Sequence, residues 1–453
     1  MALGKTVYVV LVVAILAVAA GAVVVVKNNN DDGHVATPES LDNAVLKVFG
    51  NIDGDEDFDN DDVKTIEKLI HDNAAAADYP MADANMDGNI DQADVEIVKK
   101  IINGDSTTIY HVNYHGNPTT GVMEKEIVST KFPIKSAIMT GSTNSFLLMT
   151  MCGIVEEVKG ASYSSADKAL FGETFLNTEK VTKLGTSSTT ISFEAGKSGA
   201  ASELIASKGV TAVITDWNKS YITNESAFEQ ANVDVVRVAA ASIDLNTSAH
   251  SILLLGLLFQ KEDRAEALYD LYKSVYSEIE SKATGLNVKA ISSSTTGSVS
   301  SGDSDYTKVL TTAGASFGLE GYDFGGKASI KVADNLGIFD TSKYNYDYII
   351  HIRTGISYSE YDAEKILKDY TESFKLWEND GNQYIISGSV PVPVRIALAA
   401  SIMNDALDES WANEIHQKFL DSFLQKYNYE TGTFESYGFD LSSMKFILSQ
   451  STA

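Results

Sequence analysis

Two short acidic segments place oxygen-bearing side chains at alternate positions, which is the spacing that a calcium loop requires. The second segment, DANMDGNIDQAD, starts at Asp83 and has Gly88 at its sixth position. Ca²⁺ takes about six to eight oxygen ligands, and a glycine at the sixth position permits the sharp turn that points alternate side chains inward. The expected ligands of this site are Asp83, Asn85, Asp87, Asn89, Asp91 and Asp94.

The first segment, NIDGDEDFDNDD, starts at Asn51 and aligns with the second as an internal repeat. Because Glu56 stands where glycine is usual, we expect this site to bind calcium more weakly than the second. The alternative is an acidic solvated stretch with chance spacing, and two aligned copies argue against it. The expected ligands of this site are Asn51, Asp53, Asp55, Asp57, Asp59 and Asp62.

Each loop is followed by apolar residues at helical spacing, and the pair of loop-and-helix units resembles a dockerin domain over roughly residues 41–105. The resemblance implies a small all-α module that folds around two Ca²⁺ ions and docks on a cohesin-domain protein. In dockerins the contacts with the partner lie around loop positions ten and eleven, here Asn60–Asp61 and Gln92–Ala93. Because these two pairs differ, we do not expect binding in two equivalent orientations.

Composition excludes several functions. The chain has 35 basic and 62 acidic residues, a net charge of -27, and phosphate contacts need a basic surface, so we expect no nucleic-acid partner. One cysteine, Cys152, excludes an intrachain disulfide and a thiolate zinc cluster.

The AGKS at Ala195–Ser198 lacks the earlier glycine of a phosphate loop, and the usual hydrolase motifs are absent. We therefore expect no catalysed reaction.

An uncharged apolar stretch, VYVVLVVAILAVAAGAVVVV, occupies residues 7–26. A helix of that length matches a hydrocarbon layer of ~30 Å, so we expect residues 1–27 to form a transmembrane anchor, followed by a linker over 28–40. A cleaved secretory signal, with small residues at Ala17–Ala19, is the alternative. Lys5 precedes the stretch and acidic residues follow it. This asymmetry predicts a single-pass protein of the cytoplasmic membrane with the bulk of the chain on the extracellular side.

After residue 105, short β-rich runs alternate with helical ones, which is typical of parallel α/β layers. The α/β fold expected here has two lobes, 106–260 and 286–453, joined by one long helix within 261–285. Apolar residues at alternating steps of three and four predict that helix over Glu262–Lys282, and the preceding HSILLLGLLF is too short to cross a bilayer and predicts a buried core helix. The strands are predicted at Ser136–Thr140, Glu156–Lys159, Ala212–Thr215, Val233–Val238, Lys289–Ser293, Tyr348–Ile352 and Tyr384–Ser387, and two further helices at Asp362–Leu376 and Val394–Leu407.

This order of elements resembles the solute-binding proteins of ABC importers, in the class that captures siderophores, haem or cobalamin. The resemblance covers about residues 106–450 and is carried by KSAIMTGSTNSFLLMTMCGIVEEVKGAS, SELIASKGVTAVIT, ANVDVVRVA and LLGLLFQKEDRAEALYDLY. It implies a periplasmic-binding-protein-like fold whose lobes close on a small-molecule metal complex and deliver it to an ABC permease. An archaeal source is also expected. A tyrosine-rich stretch, KYNYETGTFESYGFD, has no place in the resemblance.

A different class of function remains open. The alternative is a cell-surface adhesion or scaffold-assembly protein that uses the dockerin-like module to bind a cohesin partner, with a large domain that has lost its ligand.

Ligands of open α/β sheets bind where loops leave the carboxyl ends of the strands. Arginine carries most weight there, because the chain has only four and a guanidinium group pairs with carboxylate or phosphate. We expect Arg353 and Arg395 to face an aromatic wall of Tyr163 and Trp217 around a large, flat anionic ligand. Local salt bridges in an acidic protein are the alternative. The expected solute-binding residues are Thr143, Asn144, Tyr163, Trp217, Tyr221, Arg353, Tyr358 and Arg395.

Overall fold

The computed structural model describes residues 40–116, 122–163, 179–185, 199–222, 224–283, 286–353, 369–370, 374, 382–436 and 445–449, and these belong to one compact unit. The apolar stretch 7–26, the linker to residue 39 and the helix predicted at Asp362–Leu376 lie wholly or largely outside them. No helix among the described residues is long and apolar enough to cross a membrane. The anchor therefore stays a prediction.

The acidic repeat forms two amphipathic helices. After the short helix α1 (Ser40–Asn43) come α2 (Asn60–His71) and α3 (Gln92–Ile102). Each of the two longer helices begins with a capping box, in which the side chains of the N-cap and third helical residues each accept a hydrogen bond from the other's backbone. The expected apolar faces are confirmed, since the following residues are buried: Val63, Ile66, Leu69, Val95, Val98 and Ile101.

A long antiparallel hairpin, β1 (Thr107–Gly116) and β2 (Met123–Phe132), leads into the first lobe. Its sheet is entirely parallel, with the order β5-β4-β3-β6-β7. Strand order reverses between β3 and β6, which is the switch point where ligands of such sheets bind. The strands are β3 (Ala137–Met139), β4 (Val158–Ser162), β5 (Thr182–Gly185), β6 (Ala212–Asp216) and β7 (Asp234–Val238), with helices α4 (Thr143–Met151), α5 (Ala200–Lys208), α6 (Glu225–Gln230) and α7 (Leu245–Phe259).

Helix α8 (Glu262–Ala283) leads to the second lobe. The main sheet there has the order β10-β8-β12-β13-β16 and is parallel except for β16, which runs antiparallel to β13. Its strands are β8 (Lys289–Ser293), β10 (Ser316–Phe317), β12 (Tyr348–Arg353), β13 (Gln383–Ser387) and β16 (Lys445–Ser449). Smaller antiparallel pairs are formed by β9 (Ser298–Ser300) with β11 (Ser329–Lys331) and by β14 (Lys426–Asn428) with β15 (Thr433–Glu435).

The other helices of the second lobe are α9 (Asp305–Thr312), α10 (Val392–Met403) and α11 (Glu409–Ser422). Four single-turn 3₁₀ helices complete the described elements, at Pro80–Ala82, Lys219–Tyr221, Val332–Asp334 and Leu336–Phe339.

One apolar core runs through both lobes and the helix between them. Helix α7 is buried along most of its length, as predicted for HSILLLGLLF. On α8 the predicted stripe is buried at every position, namely Ala265, Leu268, Tyr272, Val275 and Ile279. These side chains belong to the same cluster as the apolar residues of α4 and α10. Burial of this apolar surface contributes about 25 cal/mol per Å² to the free energy of folding and stabilises the packing of these elements.

Within the tyrosine-rich stretch left unplaced by the resemblance, the described residues 426–436 form the β14–β15 hairpin. It lies against the start of α8, where the guanidinium of Arg264 is 4.3 Å from the ring centre of Phe434. Arg264 also donates hydrogen bonds to the carbonyl oxygens of Met151 (2.8 Å) and Phe423 (3.2 Å). One arginine therefore ties the end of α4 in the first lobe to the end of α11 in the second.

Two predicted boundaries are shifted. Strand β4 was expected to start at Glu156 but starts at Val158, because Glu156 is exposed and the buried run continues to Ser162. Helix α10 ends at Met403 and not at Leu407, because Asn404 leaves the helical region with φ -133° and ψ 110°.

Candidate functional site

The switch point of the first sheet is held by a buried carboxylate. Asp216 ends β6, and its Oδ2 accepts hydrogen bonds from the hydroxyls of Ser142 and Ser145, each at 3.1 Å. Burial raises the pKa of Asp216 to about 6. Since Ser142 follows β3 and Ser145 lies in α4, these bonds fix the start of α4 against the end of β6.

Arg237 supports the same loop from the neighbouring strand β7. Its guanidinium is buried, forms a two-bond ion pair with the Glu225 carboxylate (2.7 and 3.2 Å) and donates to the Asp216 carbonyl oxygen at 2.9 Å. The backbone N–H of Arg237 donates to Asn113 of the hairpin at 2.9 Å. Arg237 therefore positions the loop after β6.

Arg395 lies in the first turns of α10, directly after β13, and its side chain reaches the other lobe. Nη2 donates a hydrogen bond to the side-chain oxygen of Asn144, in the first turn of α4, and Nε donates to the Val390 carbonyl oxygen at 2.9 Å. The structure therefore brings together two of the predicted solute-binding residues, one from each lobe, beyond the carboxyl ends of β3 and β13.

The environment of Arg395 is unusual for a cation. The residue is only 5% exposed, and burial lowers the pKa of its guanidinium. Within the described residues no carboxylate comes within ion-pair distance of it, and the titratable side chains around it are those of Tyr306, Tyr272 and Asp305. A buried cation without a paired carboxylate favours an anionic group nearby.

Arg353, the second predicted anion-binding residue, ends β12 in the same lobe. Its guanidinium lies 5.9 Å from the ring centre of Tyr370, and Nη1 is 3.5 Å from the Tyr370 hydroxyl. The Arg353 carbonyl oxygen accepts a hydrogen bond from Gly388 N–H at 2.7 Å, which ties β12 to the loop after β13. Arg353 is thus at the expected edge of the sheet, half-buried, with an aromatic partner.

Tyr163 and Trp217, the two residues of the predicted aromatic wall, pack on separate parts of the first lobe. Tyr163 directly follows β4 and is buried beneath Lys183, whose Nζ lies 4.6 Å from the ring centre. Trp217 packs on the β1–β2 hairpin, where its carbonyl oxygen accepts from Gly116 N–H at 2.7 Å and its ring lies over the Gly116 Cα. A hairpin that the sequence pattern did not predict therefore contacts the Trp217 ring.

Two other predicted residues, Thr143 and Tyr221, lie in short local elements of the first lobe. Thr143 is the first residue of α4, and Tyr221 ends a single 3₁₀ turn and is half-buried. Tyr358 lies outside the described residues.

Two grooves on the described surface lie away from Arg395. One of about 200 Å³ separates the first acidic loop from α7 and α8, and one of about 470 Å³ lies at the amino ends of β4 and β5. Neither is lined by a predicted solute-binding residue. At the interlobe contact, by comparison, Arg395 and Asn144 touch directly, so a ligand entering there must part them.

Sequence reasoning missed the residues that hold the switch point. Asp216 ends the apolar run AVITD, and Ser142 and Ser145 lie in the segment GSTNS that follows β3. An acidic residue at the end of a buried strand, with hydroxyls after the neighbouring strand, is the signal that could have found them.

In the second acidic loop, side chains fold back on the loop's own backbone. Asp83 accepts hydrogen bonds from the N–H groups of Asp87 (3.0 Å) and Gly88 (2.8 Å), and Asp94 accepts from Asn85 (3.1 Å) and Asp91 (2.8 Å). The carboxylates at the first and twelfth positions are both buried. Gly88 has φ 91°, a conformation that favours glycine, which confirms the predicted turn.

In the first loop, as in the second, the aspartate at position twelve accepts backbone hydrogen bonds, but the turn of the loop differs. Asp62 accepts hydrogen bonds from Ile52 (2.8 Å) and Asp59 (3.0 Å), while the left-handed residue is Gly54, two positions before Glu56. Burial, with added repulsion from neighbouring aspartates, raises the pKa of Asp62 to about 8 and of Asp55 to about 7. The carboxylates of this loop are therefore crowded.

The donor atoms of the two acidic loops decide whether the loops fit calcium. Within the described residues, no three His, Cys, Asp or Glu side chains converge closely enough to hold a metal ion as they stand. The available donors are nonetheless all oxygen, the ligand type that Ca²⁺ prefers, and buried carboxylates that repel one another gain most from a cation. The donor chemistry fits Ca²⁺, although the side chains are not gathered around one point.

Comparison with known proteins identifies the fold. The TroA-like periplasmic binding protein FepB of Veillonella parvula superposes with a TM-score of 0.51 at 14% identity, covering 74% of this chain and 99% of that chain. A periplasmic solute binding protein of V. parvula (TM-score 0.47, 14% identity, 71% and 95% covered) and a periplasmic heme binding protein of Pseudomonas aeruginosa (0.42, 13%, 60% and 94%) superpose less well. No family model and no curated protein matches the chain.

The expected α/β fold of the periplasmic-binding-protein type is confirmed by the first of these structures. At 14% identity the likeness shows the fold alone. The dockerin resemblance and the archaeal source receive no support from the comparisons and stay predictions.

Proposed function

We propose that this chain is the extracytoplasmic solute-binding protein of an ABC importer, held at the cytoplasmic membrane by residues 1–27, and that it catalyses no reaction. The contact between Arg395 and Asn144 carries the proposal. It lies between the lobes, beyond the carboxyl ends of strands in both sheets, which is where ligands of such sheets bind. Capture is by closure of the lobes, and release is to the permease.

The ligand that this contact suits is anionic. Arg395 is buried without an ion-paired carboxylate among the described residues, so an anionic ligand supplies the missing charge. Arg353 and Tyr370 lie at the same edge of the second sheet and offer a guanidinium and a ring face. An iron complex, haem or a cobalamin-like ligand combines a large ring or chelate with peripheral acidic or polar groups.

Titration tests this proposal. The purified protein is titrated separately with haem, a ferric siderophore and cyanocobalamin, and tryptophan fluorescence is followed. We expect saturable binding of one of the three, weakened at least tenfold by Arg395→Met. Lys282→Met, which removes an exposed ion pair on α8, is the matched control and should bind as the unaltered chain does. Binding of none of the three, or equal binding by Arg395→Met, overturns the proposed ligand class.

We further propose two Ca²⁺ sites in the acidic loops, with the second the tighter. The all-oxygen donor sets, the buried carboxylates at positions one and twelve, and the regular Gly88 turn of the second loop support this order. Ca²⁺ would supply positive charge that the loops lack, and the carboxylates of both loops would bind it.

Docking on a cohesin-domain partner is the second candidate function. It is favoured by one observation, which is that Asn60, Asp61, Gln92 and Ala93, at loop positions ten and eleven, are all exposed. A cohesin domain should be retained by the immobilised protein with Ca²⁺ and released by a chelator. Retention without a bound small-molecule ligand would favour this function over solute capture.

A further inference from the structure

The acidic module, defined as residues 44–105, packs on the first lobe and on the interlobe helix. Leu46, Val48 and Ile101 belong to the same apolar core as the residues of α7 and α8. The backbone of residues 47–49 pairs with β1, since Phe49 N–H donates to Tyr110 O at 2.9 Å and Val112 N–H donates to Lys47 O at 3.1 Å. The module is therefore joined to the first lobe and to the interlobe helix by apolar contacts and by backbone hydrogen bonds.

One anchor of the module lies on α7. The backbone N–H of Lys47 donates to His250 Nδ1 at 3.0 Å, and His250 Nε2 contacts the Val112 carbonyl oxygen at 2.8 Å. Lys47 is 2% exposed, and its Nζ donates to the carbonyl oxygen of Asp42 at 3.1 Å and to Asn246 Oδ1 at 3.3 Å. Breaking buried hydrogen bonds of this kind costs free energy, because the buried donors and acceptors cannot form hydrogen bonds with water instead.

A second anchor joins the first acidic loop to α8. Glu56, at the loop position where glycine is usual, lies 2.9 Å from Lys273 Nζ. The same ammonium group contacts Asp270 at 2.9 Å and lies 4.4 Å from the ring centre of Tyr269, so it is held on the helix surface. Phe58 packs against the main core two residues further along the loop. A half-exposed ion pair adds little stability alone, but here it fixes where the loop sits on the helix.

We propose that the acidic module is an intramolecular brace on the interlobe helix, with Lys47–His250 and Glu56–Lys273 as its two anchors. The first anchor holds the module to α7, and the second makes the first acidic loop and α8 move as one body. If that loop binds Ca²⁺, a step that rests on the function proposed above, the ion also restrains the helix about which the lobes move. The replacement of glycine by Glu56 then serves this contact and not the metal.

Hydrogen exchange of the full chain tests the brace. Lys273→Met should raise amide exchange at least threefold both in residues 53–58 and in the part of α8 around Lys273. Glu56→Gln removes the same pair from the loop side and should give the same pattern, so misfolding of one variant leaves the other informative. Lys282→Met breaks the Lys282–Glu278 pair at the far end of α8 and should leave residues 53–58 unchanged. Unchanged exchange of the loop in both test variants overturns the brace.

The coupling to metal has its own readout. In the unaltered chain, Ca²⁺ should slow amide exchange both in residues 53–58 and in α8. In Lys273→Met, it should slow amide exchange in residues 53–58 and leave α8 unchanged. Protection of the loop without protection of α8 in the unaltered chain overturns the coupling. If calorimetry shows no Ca²⁺ uptake at all, the proposed metal sites are wrong. Hydrogen exchange of the variants in the absence of Ca²⁺ still tests the brace.

Discussion

The guanidinium of Arg395 on α10 donates a hydrogen bond to the side-chain oxygen of Asn144 on α4, across 251 positions of sequence. Both residues lie in the first turns of their helices, so the contact joins the ends of two sheets from different lobes. Under the proposed function, opening of the lobes breaks this bond and a ligand supplies new acceptors, because the guanidinium cannot remain buried without them.

Replacing Arg395 by methionine should change the free energy of unfolding of the ligand-free protein by no more than about 1 kcal/mol. Methionine fills a similar apolar volume, and removal of a buried charge offsets the lost hydrogen bonds. Arg395→Ala should instead cost about 2 to 4 kcal/mol, because it leaves a cavity. Urea unfolding distinguishes the two variants, and equal losses would contradict this account.

Arg237→Met should destabilise the fold by about 3 kcal/mol, since it leaves the Glu225 carboxylate without its ion-pair partner and the Asp216 carbonyl oxygen without its buried donor. Lys131→Met, on β2 of the hairpin, is the control. It breaks a more exposed pair with Asp234 and should cost about 1 kcal/mol or less. Denaturant midpoints measure both. Equal small losses would show that Arg237 does not hold the switch-point loop.

Asp216 should make stability depend on pH between about 4 and 6. Its pKa is about 6 in the folded state against an ordinary 3.8, so the folded chain keeps a proton that the unfolded chain releases. The stabilisation is complete below pH 4 and is lost as pH rises through 6. Relative to Asp216→Asn, the unaltered chain should lose up to about 3 kcal/mol over this window. A flat difference for Asp216→Asn across this window would count against the shifted pKa.

Asp83→Ala combined with Asp87→Ala should abolish the tighter of the two proposed calcium sites. Both side chains are donors of the second loop, and metal affinity falls steeply when carboxylate ligands are lost. Calorimetric titration of the full chain with Ca²⁺ measures the change. Asp72→Ala removes an exposed carboxylate outside the loops and should titrate as the unaltered chain does. Unchanged uptake by the double variant would sink the assignment.

The sequence pattern predicted the elements that are apolar and continuous. Strands β6, β7, β8, β12 and β13 and helix α8 were all expected close to their observed bounds, while α7 begins five residues before the predicted segment 250–259. The β1–β2 hairpin was missed because its buried face carries His111 and Asn113, which break the apolar alternation. His111 is satisfied by Thr130 at 2.8 Å and Asn113 by Val235 at 2.9 Å, and no local pattern predicts such distant partners.

The candidate site was predictable as a set of loops but not as contacts. The rule that ligands bind beyond strand ends selected Asn144 and Arg395, which meet. It also selected Trp217, whose ring instead packs against Gly116 of the β1–β2 hairpin. The docking of the acidic module rests on pairs such as Lys47 and His250, 203 positions apart. Side-chain pairing over that distance is a property of tertiary packing, which residue spacing does not encode.

The most direct test of the account is to ask whether the protein, purified from its native source, carries a small molecule. The unaltered chain and Arg395→Met would be purified side by side and compared by absorption and mass spectrometry. We predict that the unaltered chain carries an iron complex, a haem or a cobalamin-like molecule in near-equimolar amount and that Arg395→Met has lost most of it. An unaltered chain that carries no such molecule and takes none up, or a variant that carries it equally, would contradict the account.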